Sequence, residues 1–74
     1  MKQFNFKNVD LYKASQGTKA FNTALIDPFY QSIETTIKTL KEWGLEVNED
    51  TAYFINYYNG SMEKFMASRK EGVK

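Results

Sequence analysis

Apolar residues recur at helical spacing along most of this chain and alternate with polar residues only near its beginning. Within the first nine positions, Phe4 and Phe6 are each flanked by polar neighbours, a spacing typical of extended backbone. Residues 1–9 are therefore predicted to form a short strand, or an extended arm that packs two phenylalanines against the rest of the protein.

A first helix is predicted over about residues 10–26. Asp10 precedes it and can accept a hydrogen bond from an otherwise unpaired backbone N–H of the first turn. The stripe of this helix is narrow, about 80° wide, and contains Leu11, Ala14, Thr18, Phe21 and Leu25. Gly17 lies beside the stripe and costs about 1 kcal/mol of helix propensity, so a break near this residue remains open.

The pair Asp27-Pro28 predicts the start of a second helix over about residues 28–43. Proline disfavours helix in the preceding residue and suits the first helical turn, with the aspartate as its cap. The apolar stripe, about 120° wide, contains Phe29, Ile33, Ile37, Leu40 and Trp43. Gly44 followed by Leu45 matches a glycine C-cap with its accompanying apolar contact.

A third helix is predicted over about residues 49–70, with acids in its first turn where they suit the helix dipole. Its apolar positions fall within about 120° of one another and are Phe54, Ile55, Tyr58, Met62, Phe65 and Met66. This phase continues across Asn59-Gly60-Ser61, which favours one helix of about 20 residues. The alternative is a break at Asn59-Gly60, with Ser61 capping a fourth helix.

These elements predict a single all-α domain over residues 1–74. It is either a small three-helix bundle or a helical hairpin that completes its core by dimerisation, with a short extended N-terminal arm. The apolar content of 42% and aromatic content of 16% favour a folded chain. Small domains usually need an additional constraint. Because the chain has neither cysteine nor histidine, association with another protein or with itself is the constraint we expect.

Catalytic, metal and cofactor chemistry is not expected. Without cysteine or histidine, the common nucleophile–base pairs and nitrogen or sulfur metal sites cannot form. The glycines are too scattered for a phosphate loop. No apolar run approaches a membrane span or a signal-peptide core, so the expectation is a cytoplasmic protein without a membrane partner.

Charge is unevenly distributed although the net charge is only +1. Residues 42–63 carry five acids and no base, whereas the tail from Lys64 carries Arg69, Lys70 and Lys74. Phosphate binding requires clustered positive charge, and the third helix begins with acids. A small dimeric nucleic-acid-binding regulator is therefore the alternative hypothesis.

The aromatic flank of the third helix is the candidate binding site. Tyr53 and Tyr57 lie beside its core stripe, and tyrosine is enriched at interfaces. Gly60 falls on the same flank, where a missing side chain would let another helix approach closely. Lys64, at the start of the basic tail, is the fourth candidate. These residues predict a non-catalytic protein-binding module: an adaptor or inhibitor of a larger protein, or a self-associating subunit.

Overall fold

The all-α prediction is confirmed by the structure, a computed structural model that describes the backbone of residues 4–72 and the side chains of residues 4–67. This part of the chain contains four α-helices, which are α1 (Leu11–Ala24), α2 (Ile33–Glu42), α3 (Glu49–Tyr58) and α4 (Met62–Gly72). Two 3-10 turns, Phe6–Asn8 and Pro28–Tyr30, precede α1 and α2. No helix in this part is both long and apolar enough to cross a membrane.

Helix α3 lies at the centre of the fold. The other three helices and both 3-10 turns all pack against it. Five of its ten residues are buried: Thr51, Ala52, Phe54, Ile55 and Asn56. Together with Ala14, Phe21, Leu40 and Phe65, its apolar members form the core. A central helix contacted from several sides must be apolar around most of its circumference, which explains the aromatic richness of residues 53–58.

Helix α1 begins and ends with well-defined caps. The Asp10 carboxylate accepts a hydrogen bond from the backbone N–H of Lys13, so the predicted cap is confirmed, and the helix continues through Gly17. At the other end Leu25 adopts a left-handed conformation, with φ of 60°. The next N–H, from Ile26, donates to the carbonyl of Phe21, as in a glycine-type helix C-cap.

Leu25 is an unusual residue for this conformation, and replacing it is expected to stabilise the fold. Left-handed backbone costs about 1–2 kcal/mol for most L-residues, and asparagine tolerates it best after glycine. The Leu25 side chain is 91% exposed, so little packing is lost. We expect Leu25→Asn to raise the free energy of unfolding by about 1 kcal/mol, measured by urea denaturation at low protein concentration. An unchanged or lower value would contradict this account.

The second helix begins five residues later than the predicted range of 28–43. Pro28–Tyr30 forms a 3-10 turn capped by Asp27, and Gln31 is extended. Ser32 then starts α2, because its hydroxyl accepts a hydrogen bond from the N–H of Thr35. Because Ser32 caps α2, the helix does not extend back to Phe29 as predicted. The predicted C-cap is confirmed, since Gly44 has φ of 90° and the N–H of Leu45 donates to the carbonyl of Leu40.

The single helix predicted over 49–70 is wrong. Asn59 and Gly60 both have positive φ, 51° and 67°, which ends α3 at Tyr58 and separates it from α4. Ser61 caps α4 by accepting a hydrogen bond from the N–H of Lys64, so the alternative with a fourth helix is correct. Because α4 changes direction, Met62 is exposed rather than buried, whereas Phe65 still reaches the core.

Residues 4–9 are tied to the beginning of α3. The backbone N–H of Asn5 and the side-chain amide of Asn8 both donate hydrogen bonds to the carboxylate of Asp50. Phe4 and Phe6 pack against the core. Phe6–Asn8 is a 3-10 turn rather than a strand. Residues 1–3 of the predicted arm, and the side chains of Arg69, Lys70 and Lys74 in the basic tail, lie outside the described residues.

Candidate functional site

Five aromatic rings form a continuous row from the core to the surface, which we call the aromatic row. In order along the row they are Phe4, Tyr53, Tyr57, Phe29 and Tyr30. Consecutive ring centroids are 4.6, 4.5, 5.8 and 5.3 Å apart, within the range of favourable aromatic contacts. The inner end, Phe4, also contacts the buried ring of Phe65.

The outer end of the row is strongly exposed. Tyr57 is 52% exposed, Phe29 55% and Tyr30 81%. Isolated exposed apolar residues are common on protein surfaces, whereas contiguous apolar patches often mark a binding site. Because these three rings contact one another, they form one patch rather than scattered residues.

Local structure explains how the rings come together. Tyr53 and Tyr57 are four residues apart on α3, so they lie on the same face of the helix. Phe29 and Tyr30 belong to the connector between α1 and α2, whose Pro28 is buried. The side-chain amide of Asn56, inside α3, donates to the carbonyl of Gln31 at 3.0 Å. This hydrogen bond holds the connector, and hence Phe29, against α3.

The aromatic row is electrically neutral. Burial raises the pKa of the Tyr53 phenol above its usual value, and the nearby Tyr57 and Tyr58 raise it further, so this hydroxyl stays protonated at physiological pH. The segment 51–62 contains no charged residue, and the segment 20–33 contains only Asp27. Four of the five rings of the row come from these two segments.

The structure brings two of the four predicted site residues together. Tyr53 and Tyr57 are adjacent in the aromatic row, whereas Lys64 lies on α4 with an exposed side chain. Gly60 does not share their flank, because the helix ends before it. The backbone at Gly60 does lie close to another helix, but that helix is α1 of the same chain. A Cβ at this position would overlap the Thr18 hydroxyl and lie 2.8 Å from the Ala14 carbonyl oxygen, both on α1.

The sequence patterns predict neither Phe29 nor Tyr30 as residues of the site. Helical spacing places Phe29 in a buried stripe, and no motif singles out Tyr30. Leu25, which is also exposed in the connector, follows the apolar stripe of the first helix. A signal for them exists in the sequence, since the connector 25–30 has four large apolar or aromatic side chains flanking Asp27-Pro28: Leu25, Ile26, Phe29 and Tyr30. Loops tend to expose their side chains and often carry binding residues. Leu25, Pro28 and Asn59 line one hollow of about 430 Å³, which places Leu25 near the end of α3.

A second, larger concavity lies on a different part of the surface. This groove of about 800 Å³ runs along α1 and the end of α2, and its lining includes Tyr12, Gln16, Lys19, Trp43 and Leu45. Trp43 is half exposed and packs edge-on against buried Phe21. The only charged side chain in its lining is Lys19, so the groove offers no acid–base pair.

The acids of the described residues are dispersed rather than grouped. No cluster of three or more potential metal-ligating side chains occurs among them. Asp10, Asp27 and Asp50 instead accept hydrogen bonds from backbone or amide N–H groups. These hydrogen bonds, which cap a helix or turn or hold the N-terminal segment in place, give each carboxylate a structural role.

Comparison of the chain with protein-family models, curated proteins and solved structures found no match.

Proposed function

We propose that this protein is a non-catalytic protein-binding module, and that its binding surface is the outer part of the aromatic row. The supporting observation is the exposure of Phe29, Tyr30 and Tyr57 although their rings are in mutual contact. This proposal keeps Tyr53 and Tyr57 of the predicted site and replaces Gly60 and Lys64 with the connector residues.

Aromatic side chains suit this role because each can bury about 150–250 Å² on binding. They also lose less side-chain entropy than longer, more flexible residues. Here much of that entropy is already lost before binding, since each ring contacts a neighbour. The connector is further held by the hydrogen bond from Asn56 to Gln31. A preorganised surface spends less of its interaction energy on ordering.

The lack of basic residues in the two sequence segments that supply most of the row favours protein as the partner. Nucleic acid and anionic membrane surfaces are bound through clustered lysine and arginine. The segments 20–33 and 51–62, which supply Phe29, Tyr30, Tyr53 and Tyr57, contain no base. Protein interfaces, by contrast, have aromatic cores depleted of charge.

The proposal is tested by photo-crosslinking in cells that express the protein. A benzophenone amino acid at position 30 is expected to yield a discrete adduct with a protein, because Tyr30 is the most exposed ring of the row. The matched control carries the same amino acid at position 12, where Tyr12 is also exposed but lies in the separate groove. Equal adducts from both positions, or none from position 30, would overturn the proposal.

Tyr57→Ala then separates binding from folding. Tyr57 is half exposed, so the substitution is expected to cost only about 1 kcal/mol of folding stability through lost ring contacts. Truncating an aromatic residue at the centre of an interface costs about 2 kcal/mol or more. The adduct at position 30 should therefore fall by roughly tenfold or more. An adduct that survives in a folded Tyr57→Ala protein would contradict the assignment of this residue.

A further inference from the structure

We propose that the partner of this surface is a second copy of the same chain, related by a twofold axis. The proposal rests on the proposed function and specifies its partner. The surface involved, here called the connector face, consists of the contacting rings of Phe29, Tyr30 and Tyr57. We add the exposed Leu25, which lies four residues before Phe29 in the same connector. In a twofold dimer this face of each copy would cover the same face of the other.

The charge distribution suits such self-pairing. Identical faces bring identical charges together, so a charged face opposes its own copy. For the connector face this cost is limited to one carboxylate, because Asp27 is the only charge in the segment 20–33 and there is none in 51–62. The carboxylate of Asp27 already accepts a hydrogen bond from the backbone N–H of Phe29. The net charge of +1 adds little repulsion between copies.

Leu25 provides an independent observation. Its left-handed backbone is unfavourable for leucine, yet its side chain is 91% exposed and contributes little to the core. At the equivalent position after α3 the chain has Asn59, which suits this conformation. Strain of this kind that brings no internal benefit points to a role outside the monomer. Burial against a second copy gives the leucine side chain such a role.

The area available is consistent with a small dimer. From their exposed fractions, the four side chains of the connector face present on the order of 500 Å². A stable interface buries about 800 Å² per partner, including its rim. Two uncharged polar residues that line the hollow beside Leu25 can contribute to that rim: Asn22 and Asn59. A chain of 74 residues also gains more from such burial than a larger domain would.

The test is sedimentation equilibrium of the purified 74-residue chain from micromolar to millimolar concentration. We expect a monomer–dimer equilibrium that Tyr30→Ala weakens by roughly tenfold or more. Tyr12→Ala, on the separate groove, is expected to leave it unchanged. A monomer at every concentration would overturn the second-copy proposal. So would a dimer that Tyr12→Ala weakens and Tyr30→Ala does not.

Leu25→Asn gives a readout that a purely structural role would not produce. It is expected to raise the urea midpoint measured at low concentration, where the chain is monomeric, and to weaken the dimer by roughly tenfold. A lower midpoint together with weaker association would overturn the role of Leu25. The two proposals fail separately. A monomeric protein that still yields a crosslinked adduct with a different protein at position 30 refutes the second copy but not protein binding.

Discussion

Gly60→Ala is expected to lower the free energy of unfolding by about 2–4 kcal/mol, combining the cost of left-handed backbone with that of overpacking. Gly60 has φ of 67°, a conformation that alanine adopts poorly. The added methyl would also lie 2.8 Å from the carbonyl oxygen of Ala14 and overlap the hydroxyl of Thr18. Thr18 can rotate away, but the Ala14 carbonyl belongs to the α1 backbone and can move only if the helix moves.

Gly44→Ala is the matched control for this experiment. Gly44 also has a positive φ, of 90°, but a Cβ at this position would meet nothing within 4 Å. The Gly44→Ala variant should therefore lose only the free energy of unfolding that left-handed backbone costs, about 1–2 kcal/mol. Urea denaturation of both variants gives the difference, which isolates the close contact between Gly60 and α1. Equal losses in the two variants would mean that α1 does not restrict position 60.

The break at Gly60 also explains why the helical-wheel analysis of the third segment failed. The apolar phase continued from Phe54 through Phe65, and phase was the argument for one helix. In the structure Phe65 does return to the core, where its ring centroid lies 5.8 Å from that of Phe54. It does so, however, from a separate helix. Periodicity does not report the direction of the backbone, and after the break Met62 and Met66 of the same phase are exposed. Two consecutive residues with positive φ decided the outcome.

Caps were predicted well wherever a single local interaction determines them. Asp10 and Gly44 act through hydrogen bonds or backbone angles within one helical turn. The start of α2 was harder, because two caps compete within six residues. Asp27 and Ser32 each accept a hydrogen bond from a nearby N–H, and the proline between them suits either a short turn or a long helix. Packing of the connector on α3 favours the short turn.

The candidate site was predicted only as far as it lies on one helix. Tyr53 and Tyr57 follow from spacing within α3, which the sequence shows directly. Phe29 and Tyr30 reach the same row because the connector folds back onto α3, a tertiary contact that no local pattern encodes. Buried Asn56, which anchors that connector, lies in the middle of an apolar segment and gave no sign of its partner.

Asn56→Ala is expected to lower the free energy of unfolding by about 3 kcal/mol, because the buried hydroxyl of Thr36 and the partly buried carbonyl of Gln31 both lose this partner. The Asn56 side chain is 2% exposed. Its carbonyl oxygen accepts a 2.6 Å hydrogen bond from the hydroxyl of Thr36, and its amide donates to the carbonyl of Gln31. A domain of this size has a total stability of about 4–11 kcal/mol, so the loss is a large share of the whole.

A double-mutant cycle with Thr36→Val separates the pair from its surroundings. Thr36→Val alone removes the donor and leaves the Asn56 oxygen without that partner, at a cost of about 1–2 kcal/mol. In the double variant neither group of this pair remains, so the combined loss should be smaller than the sum of the single losses. Strict additivity in urea denaturation would mean that the hydrogen bond between the two side chains does not contribute.

The same pair connects the core to the proposed binding surface. The Asn56 side chain accepts a hydrogen bond from Thr36 on α2 through its oxygen, and through its amide it donates a separate one to the Gln31 carbonyl at the end of the connector. At a temperature where Asn56→Ala remains folded, the contact between the rings of Phe29 and Tyr57 should weaken, observable as loss of their nuclear Overhauser effects. Thr36→Val leaves the bond to Gln31 in place and should preserve that contact. If both variants keep the ring contact, the connector is held by apolar packing around Pro28 alone, and the buried hydrogen bonds stabilise the core without positioning the surface.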